Sequence, residues 1–404
     1  MSDPIVIVGA GLAGVRAAEA IREQGHAGPV LLLGTEPSWP YERPALSKEV
    51  LTAPALSFPE LWLQPEAFYR DHRIELRRGV TAASLAPAQR RLTLTTGEAL
   101  AWDKLIIATG STPRPLEVPG AALPGVRTLR TWEDALDVRE RLKPGTRVVV
   151  VGGGLLGLEV ASAAITKGAA VTVLERGNAL LSRCVGSLVG ASLVPFVQAN
   201  GVEVRLHARV ARVVGTDRAE SVVTEEGEAH AADLVVVALG VRPTTDWLEG
   251  SGLELGDGVK VDSFGRTSAP GVFAAGDVAS VWSPSLERSV RAESDAFAWE
   301  HGFAVGQNVA GGATAVVPTR SGGTTLFGQR LQFSGDHREE DRCHVFGEAA
   351  SGRFIALLGR EGRLTGRVAL GRPQTFRALA PLVGQPIGRA VELMARPTPA
   401  VMPG

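Results

Sequence analysis

Two short apolar runs organise this chain. Ile5-Val6-Ile7-Val8 and Val148-Val149-Val150-Val151 are uninterrupted, the pattern of strands buried on both faces. Each runs directly into glycine and then into a helical segment. The first turn is Gly9-Ala10-Gly11-Leu12-Ala13-Gly14 and the second is Gly152-Gly153-Gly154-Leu155-Leu156-Gly157. A further apolar run follows each helix, Val30-Leu31-Leu32-Leu33 and Val171-Thr172-Val173-Leu174, and leads to an acid, Glu36 and Glu175. Strand, glycine turn, helix, strand and acid therefore recur in order, twice. The pattern predicts an α/β chain with two doubly wound Rossmann-type units.

Each glycine in these turns has its own reason. The first permits the tight turn, and the second removes a Cβ where backbone must approach a pyrophosphate. The third lets helix and strand pack closely, so Gly14 and Gly157 are structural even without a ligand. Free N–H groups and the dipole at the helix N-terminus favour the phosphates. The acid, roughly 20 residues on, accepts from ribose hydroxyls. Two such units hold two dinucleotides, and the natural pair is a flavin and a nicotinamide.

Elsewhere the pattern predicts a hairpin strand with its turn at 91–98, a buried strand at 104–111, and a proline-marked linker through Pro113, Pro115, Pro119 and Pro124. Helices are expected at 133–142 and 187–200, and strands at 202–206, 221–224 and 234–238. After Gly240 the chain returns to the first unit, with a strand near 271–278 stopped by Gly276-Asp277 and a helix at 293–309. Strands at 344–347, 354–358 and 365–369, a helix at 376–383, and a helix with a loose tail over 387–404 complete the reading. The expected domains are 1–112 with 240–318 for the first dinucleotide, 113–239 for the second, and a small α+β domain over 319–404.

At 404 residues the chain exceeds what one core supports. A net charge of −1 gives no global attraction to nucleic acid or an anionic membrane. No apolar run approaches the roughly 18 residues of a membrane span. The first strand starts almost at Met1, leaving no room for a signal peptide, so a cytoplasmic enzyme is expected. The only two cysteines, Cys184 and Cys343, form no C-x-x-C pair, which removes dithiol chemistry beside a flavin. The seven histidines are scattered, with no metal-ligand spacing and no catalytic arrangement.

The element Pro40-Tyr41-Glu42-Arg43-Pro44-Ala45-Leu46-Ser47-Lys48, taken with both glycine turns, Ala108-Thr109-Gly110 and Ala275-Gly276-Asp277, resembles one group. These are the FAD-dependent, NADH-using ferredoxin reductases that serve Rieske-type dioxygenases and bacterial cytochromes P450. Rubredoxin reductases and apoptosis-inducing factor are wider relatives. The resemblance covers about residues 4–312 and implies a glutathione-reductase-like arrangement.

It also implies roles. Gly9, Gly11 and Gly14 would hold the FAD pyrophosphate, Glu36 the adenosine ribose and Arg43 the phosphates. Thr109 and Gly110 would line the second side of the cleft, and Asp277 would bind ribitol or pyrophosphate. Gly152, Gly154, Gly157 and Gly240 would receive NADH, with Glu175 on its ribose and Arg176 and Arg183 nearby. Lys48 would lie near flavin N5, paired with Glu159. The Glu175 carboxylate favours NADH, although either arginine could attract a 2′-phosphate.

The implied reaction passes a hydride from NADH to FAD, then single electrons to a [2Fe–2S] ferredoxin that supplies an oxygenase. The family's Pro-x-x-Trp-Ser-Asp-Gln segment is absent, its place taken by Pro318–Gly328, and its Glu-x-Trp becomes Glu293-Ser294-Asp295. Both changes lie on the side where an iron–sulfur partner docks. Two alternatives therefore stay open: an NADH oxidase or monooxygenase using O2 or a small organic acceptor, and an NADH-sensing interaction protein. Either a monomer or a homodimer is compatible with the chain.

Overall fold

The computed structural model describes residues 3–55, 57–283, 287–318, 320–335, 338 and 341–395. In chain order the elements that matter are β1 (Ile5–Val8), α1 (Leu12–Glu23), β2 (Val30–Gly34), β3 (Ile74–Arg78) and β4 (Lys104–Ile107). Next come α2 (Trp132–Arg141), β5 (Arg147–Val151), α3 (Leu155–Thr166), β6 (Ala170–Leu174), β7 (Val202–Arg205) and β8 (Leu234–Val237). They are followed by β9 (Val272–Ala274) and α4 (Asp295–Val309). The last are β10 (Ser321–Leu326), β11 (Gln329–Gly335), β12 (Arg342–Glu348), β13 (Arg353–Arg360), β14 (Arg363–Leu370), α5 (Pro373–Ala378) and α6 (Ile387–Ala395).

The chain divides into two compact units. The first comprises Met1–Ala45, Pro54–Arg114 and Val241–Thr319; the second comprises Leu46–Ala53, Pro115–Gly240 and Arg320–Gly404. The first unit is built on a parallel sheet ordered β9-β4-β1-β2-β3. β1 is central because all four of its residues are aliphatic and at most 4% exposed, which suits a strand covered on both faces. The chain steps outward from β1 to β2 and β3, then crosses back to β4. That reversal opens a crevice at the carboxyl ends of β1 and β4, where such sheets bind ligands. Ser111–Pro113, antiparallel to Val241–Pro243, forms a short ribbon within this unit. The expected linker thus begins as a strand.

The second unit repeats the plan. Its parallel sheet runs β7-β6-β5-β8, with Val126–Arg127 beyond β8. The crevice lies between β5 and β8. An antiparallel sheet, β10-β11-β14-β13-β12, belongs to the same unit. On one of its faces Ile355, Leu357, Leu364 and Ala369 pack against Phe376, Leu379 and Ala390 of the C-terminal helical segments.

Two expected helices are broken. Over 187–200 the chain forms Ser187–Ser192 and Val194–Ala199, because Pro195 has no N–H and its ring obstructs a continuous helix. Over 376–383 α5 ends at Ala378 and a single 3-10 turn, Ala380–Leu382, contains Pro381. The helix expected from residue 293 starts two residues later, after Ser294, whose hydroxyl accepts from Phe297 N. The tail expected beyond residue 395 lies outside the described residues.

Candidate cofactor sites

The two glycine turns are alike in detail. Gly9 N donates to Leu33 O at 2.8 Å, and Gly152 N donates to Leu174 O at 2.8 Å. Gly9 (φ +117°) and Gly152 (φ +112°) lie where side chains are strained, and a Cβ there would meet Ala108 O at 2.2 Å or Ala238 O at 2.4 Å. A Cβ on Gly14 or Gly157 would lie 1.9 Å from Gly9 O or 2.1 Å from Gly152 O. Protein packing alone therefore demands the first and third glycines. The middle ones differ: a Cβ on Gly11 or Gly154 would meet nothing within 4 Å. Their backbone is ordinary extended chain, with φ near −80°. Open space over the middle glycine is what a pyrophosphate requires. Neither α1 nor α3 has a side-chain cap or an acid in its first turn, so the helix N-termini stay electropositive.

In the first unit the remaining expected residues gather around this crevice. Glu36 Oε2 accepts from Tyr41 Oη at 2.6 Å, and Oε1 pairs with Arg43. Burial alone would lower the hold of Arg43 on its proton, but the charges of Glu36, Tyr41 and Asp277 outweigh it and raise it. Asp277 accepts from Ser111 Oγ at 3.1 Å. Thr109 Oγ1 donates to Thr244 O at 2.9 Å, and Gly110 (φ +66°) accepts from Thr244 N at 3.0 Å. Gly276 N donates to Nδ1 of His301, a fully enclosed side chain on α4. Arg43 and Asp277 thus put a cation and an anion close to one crevice, set by two distant parts of the sequence.

In the second unit Glu175 closes its own turn. Its Oε2 accepts from Gly153 N and its Oε1 from Gly177 N, both at 2.7 Å. Arg176 is exposed. Arg183 lies over Gly240 (φ +88°), where a Cβ would come 2.5 Å from its Nη2. Lys48 and Glu159 form an ion pair, Nζ to Oε1 at 2.9 Å, with Glu159 only 7% exposed.

Pattern reasoning missed four contributors. Ser47 Oγ and Thr324 Oγ1 each donate to Glu159 at 2.5 Å. Arg139 donates to Val50 O at 2.9 Å and Ala53 O at 2.7 Å, clamping the segment that carries Lys48. His301 supports the turn before Asp277. Ser47 lies inside the quoted motif, but the other three carry no local signal. Neither Cys184 nor Cys343 is in a disulfide, and both are half-buried. No group of three or more His, Cys, Asp or Glu among the described residues is arranged for a metal ion.

Two dinucleotide cradles with matching glycine geometry define a nucleotide-dependent oxidoreductase, and the family model for pyridine nucleotide-disulphide oxidoreductases matches residues 3–296. The chain belongs to that family. Within it, the chain is 37% identical to the ferredoxin reductase component of a chlorobenzene dioxygenase from Cupriavidus sp. (strain PS12), over 95% of this chain and 93% of that protein. It is 35% identical to the ferredoxin–NAD(+) reductase subunit of the benzene 1,2-dioxygenase system of Pseudomonas putida, covering 93% and 91%. Among solved structures, the ferredoxin reductase for the CYP199A2 system of Rhodopseudomonas palustris superposes with a TM-score of 0.90. It is 30% identical and covers 96% of this chain and 97% of that one. Putidaredoxin reductase, in its covalent complex with putidaredoxin, gives a TM-score of 0.89 at 30% identity, covering 95% and 93%.

Proposed function

We propose that this chain is an NADH-dependent, FAD-containing ferredoxin reductase that supplies electrons to an oxygenase. The single observation that carries this is the pair of cradles with open space over Gly11 and Gly154. Relatives of matching length that are named as ferredoxin reductases support it. FAD, when bound, takes an electron pair from NADH and releases it one electron at a time.

The rest falls to the protein. In our reading residues 1–112 and 240–318 hold FAD, 113–239 hold NADH, and 319–404 form the accessory domain. Gly9, Gly11, Gly14 and the α1 N-terminus receive the FAD pyrophosphate, and Arg43 neutralises phosphate charge. Glu36 takes a ribose hydroxyl, while Thr109, Gly110 and Asp277 complete the cleft. Gly152, Gly154, Gly157 and Gly240 admit NADH. Glu175 accepts from its 2′-hydroxyl and repels a 2′-phosphate, with Arg176 and Arg183 at the edge. Lys48, held by Glu159, would offer its cation to a bound flavin and so favour the flavin's taking up negative charge. Among the described residues no helix is long and apolar enough to cross a membrane, and we place the protein in the cytoplasm, where NADH is made.

The test is NADH-driven reduction of cytochrome c with and without a [2Fe–2S] ferredoxin. Strong stimulation by ferredoxin is expected. Brisk oxygen consumption that ferredoxin leaves unaltered would instead select the oxidase reading, which the loss of the family's tryptophan segment favours.

A further inference from the structure

β10 occupies the stretch where the resemblance leads one to expect Trp-Ser-Asp-Gln. Gly322 and Gly323 in its first half carry no side chain, for a local reason. A Cβ on Gly322 would lie 2.6 Å from Phe333 Cζ, and one on Gly323 would lie 2.8 Å from Leu331 O. Its second half carries Thr324, which is wholly buried and donates to Glu159 Oε1. A second bond ties the residue just after β10 to α3, from Phe327 N to Ser162 Oγ at 2.9 Å, and Ser162 lies one turn beyond Glu159 on α3.

Glu159 therefore takes three donors on two oxygens. Ser47 holds Oε2, while Thr324 and Lys48 share Oε1. The terminal torsion of a glutamate is broad and is not fixed by its own rotamer preference. Donors arriving from the Leu46–Ala53 segment and from β10 fix it instead. A fixed carboxylate in turn fixes the ammonium at the end of a flexible four-carbon stem.

We propose that Thr324 is a positioning residue for electron transfer: its hydroxyl locks Glu159, and through Glu159 it sets the place of the Lys48 charge. Thr324 need not touch either nucleotide. The inference rests on the reading that Lys48 serves the flavin, so its test must separate the two.

The experiment is the midpoint potential of the bound FAD in wild type, Thr324→Val, Thr324→Ser and Lys48→Ala. Valine keeps the shape of threonine and removes the donor, which leaves a buried acceptor short of a bond. Thr324→Val is expected to lower the equilibrium constant for flavin reduction about tenfold, a shift of about 30 mV to more negative potential for a two-electron couple. Thr324→Ser should restore the wild-type potential, and affinity for NAD+ should stay within about twofold in all four. A shifted Lys48→Ala with an unshifted Thr324→Val overturns the assignment of Thr324 and leaves the Lys48 reading intact. An unshifted Lys48→Ala overturns both. Should Thr324→Val fail to fold, Thr324→Ala is measured and read the same way.

Discussion

Glu159 and His301 are both enclosed, yet the protein treats them in opposite ways. Glu159 keeps three donors, one of them the charged Lys48, so its enclosure is compensated. His301 has no charged partner among the described residues: Nδ1 accepts from Gly276 N, Nε2 has no hydrogen-bond partner, and burial pushes its pKa down to about 4. The unfolded chain binds a proton at this side chain near pH 6.5, while the folded chain does not until about pH 4. This group therefore costs nothing above pH 6.5, and the fold loses stability as pH falls from there toward 4. The loss is roughly 3 kcal/mol over that window. Protonation would also break the bond to Gly276 and loosen the turn before Asp277, so flavin release should accompany the loss. Urea unfolding of wild type and His301→Gln at pH 7, 5.5 and 4.5 measures it. The wild type should lose stability more steeply. Parallel curves would assign the acid sensitivity to other groups.

At the scale of elements, the glycine turns separate folding from binding. Gly154→Ala adds a methyl to open space at an ordinary backbone conformation, so stability should change by no more than about 0.5 kcal/mol. NAD+ affinity, read by calorimetry, should fall at least tenfold. Gly157→Ala drives a methyl into Gly152 O and should cost roughly 2 kcal/mol or more of stability. Equal loss of affinity in both, with equal loss of stability, would refute the division of labour drawn between the glycines. These turns were legible because everything that defines them is local: an apolar run, three glycines and a helix within 20 residues. β10 was not, because Gly322-Gly323-Thr324-Thr325 has no alternation of apolar and polar residues. Ser47 and Thr324 lie 112 and 165 positions from Glu159, and no local pattern encodes such a pairing. The broken helix at 187–200 was legible in Pro195, but apolar periodicity on both sides masked it.

At the scale of the whole molecule, charge is unevenly spread along the chain. Residues 320–404 contain twelve arginines, no lysine and seven acids, a net +5 in a chain whose total is −1. An acidic iron–sulfur partner would be steered by such a segment, and steering is screened by salt. Raising ionic strength should therefore slow ferredoxin-dependent cytochrome c reduction several-fold while the NADH-to-flavin step holds nearly constant. Equal salt sensitivity of both steps would remove the charged segment from partner choice. The proposed electron path runs from NADH through bound FAD to a ferredoxin. Its most direct measurement is anaerobic rapid mixing of the yellow protein with NADH, followed by oxidised [2Fe–2S] ferredoxin. Rapid bleaching of the flavin is expected, then recovery of its colour as ferredoxin becomes reduced. A flavin that stays bleached with ferredoxin and recovers only when air is admitted would contradict it.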